Sequence, residues 1–389
     1  MIIDFRFKNF RSFRGEARLC LSHGNGSGLR DSVHAVAAIY GANASGKTNV
    51  VRALAMMRGM VLDSAGKNST DRLAYQPFAF AKGEEEPYLT EITFDLDGKV
   101  YRYGYQVSEE EVQGEWLFES DDFSSFANGE ERMLFTIAGD ELEGDMFEEV
   151  RSCFPRKRAN MFMLVRLDQD NNKLAGRILK WFTNLTVIRA YDDPRFYRYS
   201  HEHILMNDYR SPMMDWVRSA DPTIVEATEA PIGAINDRTG LVPAQIQFVR
   251  KVIGGDSGVS LPFADFESSG TQKIFCMAGP FVDILKNGYT VVFDEFESKL
   301  HPNLTRQLVG RFARPEINPN GAQLIVTTHD VELIRSGAIK RDQIFFCDKN
   351  LQGESTLYSL RDFKDSGRYG SRELADCYLS GVFGAVPGI

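Results

Sequence analysis

Hydrophobic positions along this chain follow two rhythms that trade places in long blocks. Residues 2–13 set Ile3, Phe5, Phe7 and Phe13 at near-alternating positions, the period of a half-buried strand. A loop rich in Gly, Asn and Ser, HGNGSGLRDS (23–32), comes next. AVAAIY (35–40) is a continuous apolar run and predicts a short strand buried on both faces. TNVVRALAMMRGMVLDS (48–64) then places Val50, Val51, Leu54, Met57 and Val61 at helical spacing. From about 88 to 137 the strand period returns in YLTEITFDLDG, KVYRYGYQV and RMLFTIAG. Turn residues at Asp97-Gly98 and Asn128-Gly129 make this an antiparallel meander.

Residues 141–250 are mixed, with helices over 174–183 and 212–218 and strands near 185–190 and 244–250. Trp116, Trp181 and Trp216 are expected to pack within their elements. After 260 an α/β rhythm sets in: a helix from about 270, the strand YTVVFDE (289–295), a helix over 303–313, the strand AQLIVTTHD (322–330), a helix over 331–336 and the strand QIFFCD. No internal repeat and no low-complexity linker interrupts it.

Composition narrows the function classes only a little. The 389 residues suffice for a large core, or for one core with an insertion. A net charge of −9 gives no overall attraction to nucleic acid or to an anionic membrane. The five cysteines (Cys20, Cys153, Cys276, Cys347, Cys377) are scattered, with no metal-ligand or redox-pair spacing, and read as free thiols of a reducing compartment. The opening MIIDFRFKNFRSF lacks the apolar core of a secretion signal, and no apolar run approaches a membrane span. A soluble cytoplasmic protein is expected.

The most specific motif is GANASGKT, Gly41 to Thr48, which fits G-x-x-x-x-G-K-[ST] between a buried strand and a helix. Backbone N–H groups of such a loop and of the helix start cradle phosphates. Gly41, Asn43, Ser45, Gly46, Lys47, Thr48 and Asn49 are therefore the candidate ATP contacts, with Lys47 reaching the β- and γ-phosphates and Thr48 a ligand for Mg2+. YTVVFDE ends in two acids: Asp294 is the candidate Mg2+ ligand, and Glu295 the candidate general base for the attacking water. AQLIVTTHD repeats the design, so His329 is placed to hydrogen-bond the γ-phosphate or the catalytic water.

Other candidates are weaker. His201 and His203 would share a face if they lay on a strand, but no Cys or acid cluster completes a metal site, and a surface or loop position is expected. RSCFPRKR (151–158) and YDDPRFYRY (191–199) could contact nucleic acid, and equally could be solvated faces or protein-binding surfaces.

Phosphate loop, long interval, ESSGTQ (267–272), strand ending Asp-Glu, strand ending His: this order resembles the ABC-type ATPases. FKNFRSF, GANASGKTN and FDEFESKLHP resemble the branch holding RecF, SMC and OLD ATPase heads. ESSGTQKIF, TTHD and YLSGVFGAVP resemble the ATP-binding family of abortive-infection (phage-defence) operons, of the type that partners RloB. The likeness is carried by the two ends of the chain and is weak between about 120 and 250.

The resemblance implies an ABC-type P-loop head of α/β class with an antiparallel meander and an inserted mainly helical subdomain. Its boundaries would be 1–140 for the first part of the head, 141–255 for the insertion and 256–389 for the second part. It implies a homodimer, or higher even oligomer, that sandwiches ATP, with Ser269 and Gly270 contacting the nucleotide of the other chain and Ser298 to His301 near the seam. It also implies a separately encoded effector and a regulatory role in anti-phage defence. A DNA-binding repair ATPase is the alternative. The roughly 60 residues after His329 are too few for the Toprim nuclease domain of OLD proteins, and no long heptad arm of an SMC rod is present. Gln76 in AYQPFAF is the candidate Q-loop glutamine.

Overall fold

The computed structural model describes residues 1–23, 28–80, 86–189, 194–229, 246–253 and 258–387. The glycine-rich part of the loop at 23–32, residues 191–193 of the aromatic-basic stretch and the start of the strand expected near 244 lie outside them.

Two large sheets organise the chain. The first is a seven-stranded antiparallel sheet built on Ile2–Lys8, flanked by Ala17–Cys20 on one side and by Tyr88–Leu96 on the other. Lys99–Val107, Val112–Ser120, Arg132–Ala138 and Glu141–Glu143 continue it as the expected meander. Leu96 pairs with Lys99 across Asp97 and Gly98, both at positive φ (56° and 85°), the conformation a two-residue hairpin turn demands. Asn128-Gly129 instead closes a short helix, Phe123–Ala127, that the pattern did not reveal.

The second sheet has six strands in the order Ser355–Ser359, Ile344–Lys349, Val36–Tyr40, Gln323–Thr327, Thr290–Phe293, Thr186–Ile188. All neighbours are parallel except Ser355–Ser359, which runs back along the edge. Val36–Tyr40, Gln323–Thr327 and Thr290–Phe293 are buried at every position, as both faces are covered. Strand alternation sorts their side chains into two cores. Ala37, Ile39, Val292, Ile325 and Phe345 face the antiparallel sheet and the helix Lys47–Asp63. Val36, Ala38, Tyr40, Val291, Phe293, Leu324 and Val326 face the helices Ser269–Asn287 and Pro302–Ala313.

Gln323 joins the two sheets. Its buried carboxamide accepts from Ile2 N (2.8 Å) and Thr290 Oγ1 (3.1 Å) and donates to Ile2 O and His34 O (both 2.9 Å). An interior amide with every bond satisfied is tolerated where an orphaned one would cost a few kcal/mol.

The interval expected as an inserted subdomain divides its buried residues between the same two cores. Val150, Leu164, Ile178 and Leu185 join the first, while Ile188, Met213, Trp216 and Phe248 join the second. Its helix Pro194–His203 lies against Ser269–Asn287 at a specific point. Pro280 has no N–H for the carbonyl of Cys276, and Ser200 Oγ donates to that carbonyl instead (3.0 Å), while accepting from Gly279 N (3.1 Å).

Candidate phosphate cleft at the carboxyl ends of the parallel strands

Three all-buried strands deliver their C-terminal residues to one edge: Tyr40 leads into Gly41, Phe293 into Asp294, and Thr327 into His329. This edge is where open parallel sheets bind ligands. The loop from Gly41 turns on residues at positive φ, namely Gly41 (155°), Ala44 (62°) and Gly46 (120°). A Cβ on Gly41 would meet Cys347 O at 2.3 Å, and one on Gly46 would meet Ser355 Oγ at 2.6 Å, so the loop lies directly on the neighbouring strands.

A serine brace holds it from behind. Ser355 Oγ donates to Ser45 O (2.6 Å) and accepts from Ser12 Oγ (2.8 Å), which in turn accepts from Asn49 Nδ2 (2.8 Å). Ser12 belongs to FKNFRSF, which gives that opening motif a physical task. Asn49, expected among the ATP contacts, lines the cleft with its side chain committed to this brace.

The cleft has a volume of about 380 Å³ and is lined by Asn43 to Asn49, Asp294, Glu295 and His329, with Arg11, Arg52 and Lys349 at its rim. Lys47 is buried, and its ammonium donates to Gly41 O (2.8 Å) and Ala42 O (2.9 Å). Burial lowers its pKa, opposed by Asp294 and the neighbouring glutamates. Asp294 is buried, and its Oδ1 accepts from Thr327 Oγ1 (2.5 Å) and Thr48 Oγ1 (3.3 Å). Glu295 is exposed and lines the cleft at φ 51°, a strained value for a non-glycine residue, and its N–H is anchored on Thr327 Oγ1 (2.9 Å). His329 is exposed at the lip, where partial desolvation, ahead of the Lys47 ammonium, holds its imidazole below the usual histidine pKa.

A hydroxyl and a carboxylate oxygen converging this closely form a hard-oxygen donor set that fits Mg2+. Thr48 and Asp294 would hold the ion, which in such sites neutralises β- and γ-phosphate oxygens.

Two functional partners escaped the sequence. Thr327 ties Asp294 to Glu295, and Glu297 Oε1 accepts from His329 N (2.7 Å). A hydroxyl residue two positions before His329 was the available signal for the first, and the second glutamate of FDEFE for the other.

Ser269 and Gly270 do not line the cleft that holds Lys47. Ser268, not Ser269, caps the helix by accepting from Thr271 N (3.1 Å), leaving Ser269 exposed as its first residue. The approach to this helix is fixed by Arg250, whose guanidinium grips Glu267 through two bonds (2.8 and 2.9 Å) and reaches Asp221 (2.7 Å). His301 caps the helix Pro302–Ala313, accepting from Asn303 N at 3.2 Å. Gln76 Oε1 accepts from Arg11 Nε (2.6 Å), so it reaches the cleft only through Arg11.

The histidine pair sits on the helix Pro194–His203, not on a strand, and His203 stacks on Tyr199 with ring centroids 4.0 Å apart. Residues two apart on a helix do not share a face, and no metal-binding group of His, Cys, Asp or Glu occurs among the described residues. In RSCFPRKR, Arg158 turns inward to the carbonyls of Ser64, Ala65 and Lys67.

Residues 36–335 match the protein family described as "AAA domain, putative AbiEii toxin, Type IV TA system". The chain belongs to this AAA-domain family. The solved structures similar to this AAA-domain chain include an SMC head bound to the C-winged helix domain of ScpA. That pair aligns with a TM-score of 0.51 at 16% identity, over 93% of this chain and 99% of the other. An SMC head from Thermotoga maritima is also similar (TM-score 0.45, 12% identity, 92% and 98% covered). So is one from Pyrococcus furiosus with an extended coiled coil bound to the C-terminal domain of ScpA (0.48, 14%, 94% and 98%). No curated protein matches the sequence. The fold is the ABC-type P-loop head that the motif order implies. Among the described residues no helix of this AAA-domain chain is long and apolar enough to cross a membrane.

Proposed function

We propose that this protein binds and hydrolyses ATP with Mg2+, that two copies close around two nucleotides, and that the closed state regulates a separate effector in anti-phage defence. The observation that carries the first part is the convergence of Lys47, Thr48, Asp294, Glu295 and His329 on one cleft. Lys47 leaves the loop carbonyls for the β- and γ-phosphates, Glu295 takes a proton from the attacking water, and a neutral His329 Nε2 or Nδ1 orients that water or the γ-phosphate. The two-copy part is supported by the exposed Ser269 at the start of a helix remote from its own cleft. A helix N-terminus of this kind meets phosphate well. The defence part is supported by the family description, which names an AbiEii toxin and a type IV toxin–antitoxin system.

Glu295→Gln keeps the cleft and removes the base. With ATP and Mg2+ it is expected to run as a dimer on size exclusion and to hydrolyse at least a hundredfold more slowly. Unchanged turnover would defeat the base assignment. Phage-challenge survival with the native operon, comparing wild type with Lys47→Ala, tests the defence role; equal survival counts against it. Hydrolysis stimulated by DNA with steep salt dependence would favour the repair-type reading instead.

A further inference from the structure

Lys273 lies in the second turn of the helix Ser269–Asn287 and is fully buried. Its ammonium donates to Phe296 O (2.8 Å) and Ser298 O (2.6 Å), with the Phe293 ring centroid 5.1 Å away. Burying an ammonium is expensive even when it is hydrogen-bonded, and an apolar residue of similar volume would often be neutral or stabilising there. Burial pulls the Lys273 pKa down to about 8 against the opposing charges of Glu297 and Glu295. A charge kept at that cost calls for a reason in what it holds.

It holds the loop that follows Asp294. Both ends of that loop are at positive φ, Glu295 at 51° and Lys299 at 62°. The loop meets the same helix a second time, since a Cβ on Gly270 would stand 3.2 Å from Lys299 O. On its other side it is tied to the cleft, through Glu295 N to Thr327 Oγ1 and through Glu297 Oε1 to His329 N. One short segment is thus fastened at one side to the helix start bearing Ser269 and Gly270, and at the other to the base and the histidine.

We infer that Lys273 is a positioning residue that couples the two nucleotide sites of a dimer. It makes the start of its helix and the loop from Glu295 to Lys299 move as one body, so that the partner's nucleotide docking on Ser269 and Gly270 sets Glu295 and His329 in the chain's own cleft. This rests on the two-copy reading above. Its consequence is that hydrolysis in either cleft depends on both being filled, and the ATP dependence of the rate is cooperative.

The test uses the full chain with ATP and Mg2+, measuring phosphate release against ATP and against protein concentration, with nucleotide affinity measured separately. Wild type is expected to show a Hill coefficient clearly above one. Lys273→Met is expected to bind nucleotide within about twofold of wild type, to lose about tenfold or more in kcat, and to fall to a Hill coefficient of about one. A merely structural lysine would lower kcat and thermal stability together while leaving cooperativity intact, and that result overturns the inference; so does an unchanged kcat. If Lys273→Met does not fold, Lys273→Gln, with one neutral donor, is measured in the same way against the same outcomes. A wild-type rate per chain that does not vary with protein concentration, from a monomer, overturns the two-copy reading and this inference with it. A dimeric, cooperative wild type with a cooperative Lys273→Met overturns this inference alone.

Discussion

Thr327→Val is nearly isosteric and removes a single hydroxyl, yet that hydroxyl donates to Asp294 Oδ1 and accepts from Glu295 N. Its loss removes a hydrogen bond to a buried carboxylate, worth about 1.5–3 kcal/mol, and leaves the Glu295 N–H without this partner, at about 1–3 kcal/mol more. Thr48 Oγ1, at 3.3 Å, is the remaining neighbour of that carboxylate oxygen. Glu295 sits at positive φ and depends on this anchor, so relaxation would swing its side chain away from the water it activates. If about half of the lost energy falls on the transition state, kcat drops roughly tenfold to a hundredfold, with a smaller change in ATP affinity. Phosphate-release kinetics and a urea melt read both effects. Thr327→Ser keeps the hydroxyl and is expected to stay within a few-fold of wild type. Equal activity of Thr327→Val and wild type, or equal defects in the Val and Ser variants, would refute the reasoning.

Gln323→Leu should destabilise the fold by about 3–5 kcal/mol, as Ile2 N, Ile2 O, His34 O and the Thr290 hydroxyl lose their shared partner; a urea midpoint close to wild type would contradict this. His34 is buried beside His23, Asp342, Arg361 and Lys340, and burial holds its pKa at about 4, below the unfolded value of 6.5. Native and unfolded states are both neutral there above pH 6.5. As the pH falls toward 4 only the unfolded state gains the proton, and stability drops by up to roughly 3 kcal/mol. Urea midpoints at pH 7.5 and 5 should therefore fall more for wild type than for His34→Gln, and parallel losses would show that His34 is not responsible.

How much of this was legible in the residues depended on range. AVAAIY, YTVVFDE and AQLIVTTHD declared themselves as buried strands because both of their faces are covered, and their terminal residues then named the cleft. The strand Ser355–Ser359 was not seen, since a five-residue edge strand that is part-exposed beyond its first residue has no strong local signal. Yet it brings Ser355 against Gly46 and Ser45. Thr327 and Glu297 act through contacts about thirty residues away in sequence, which no local pattern encodes. The helix Pro194–His203 under the histidine pair, expected as surface or loop, was not legible, because periodicity over so few aromatic and basic residues cannot separate helix from strand. Residues 141–255, the interval that the resemblance implies as an insertion, carry a mixed pattern. The mixture arises because successive elements serve different cores.

The central claim is that a working site is shared between two chains. Ser269→Arg, with its own Lys47 intact, and Lys47→Ala, with its own Ser269 intact, should each be nearly inactive alone. Mixed in equal amounts with ATP, half of the dimers are hybrids carrying one complete composite site, and activity should rise clearly above either component; a quarter of the wild-type rate is the ceiling, lowered by up to about tenfold because the second cleft of each hybrid stays empty. A mixture no more active than its components, or a Ser269→Arg chain that hydrolyses ATP normally as a monomer, would contradict it.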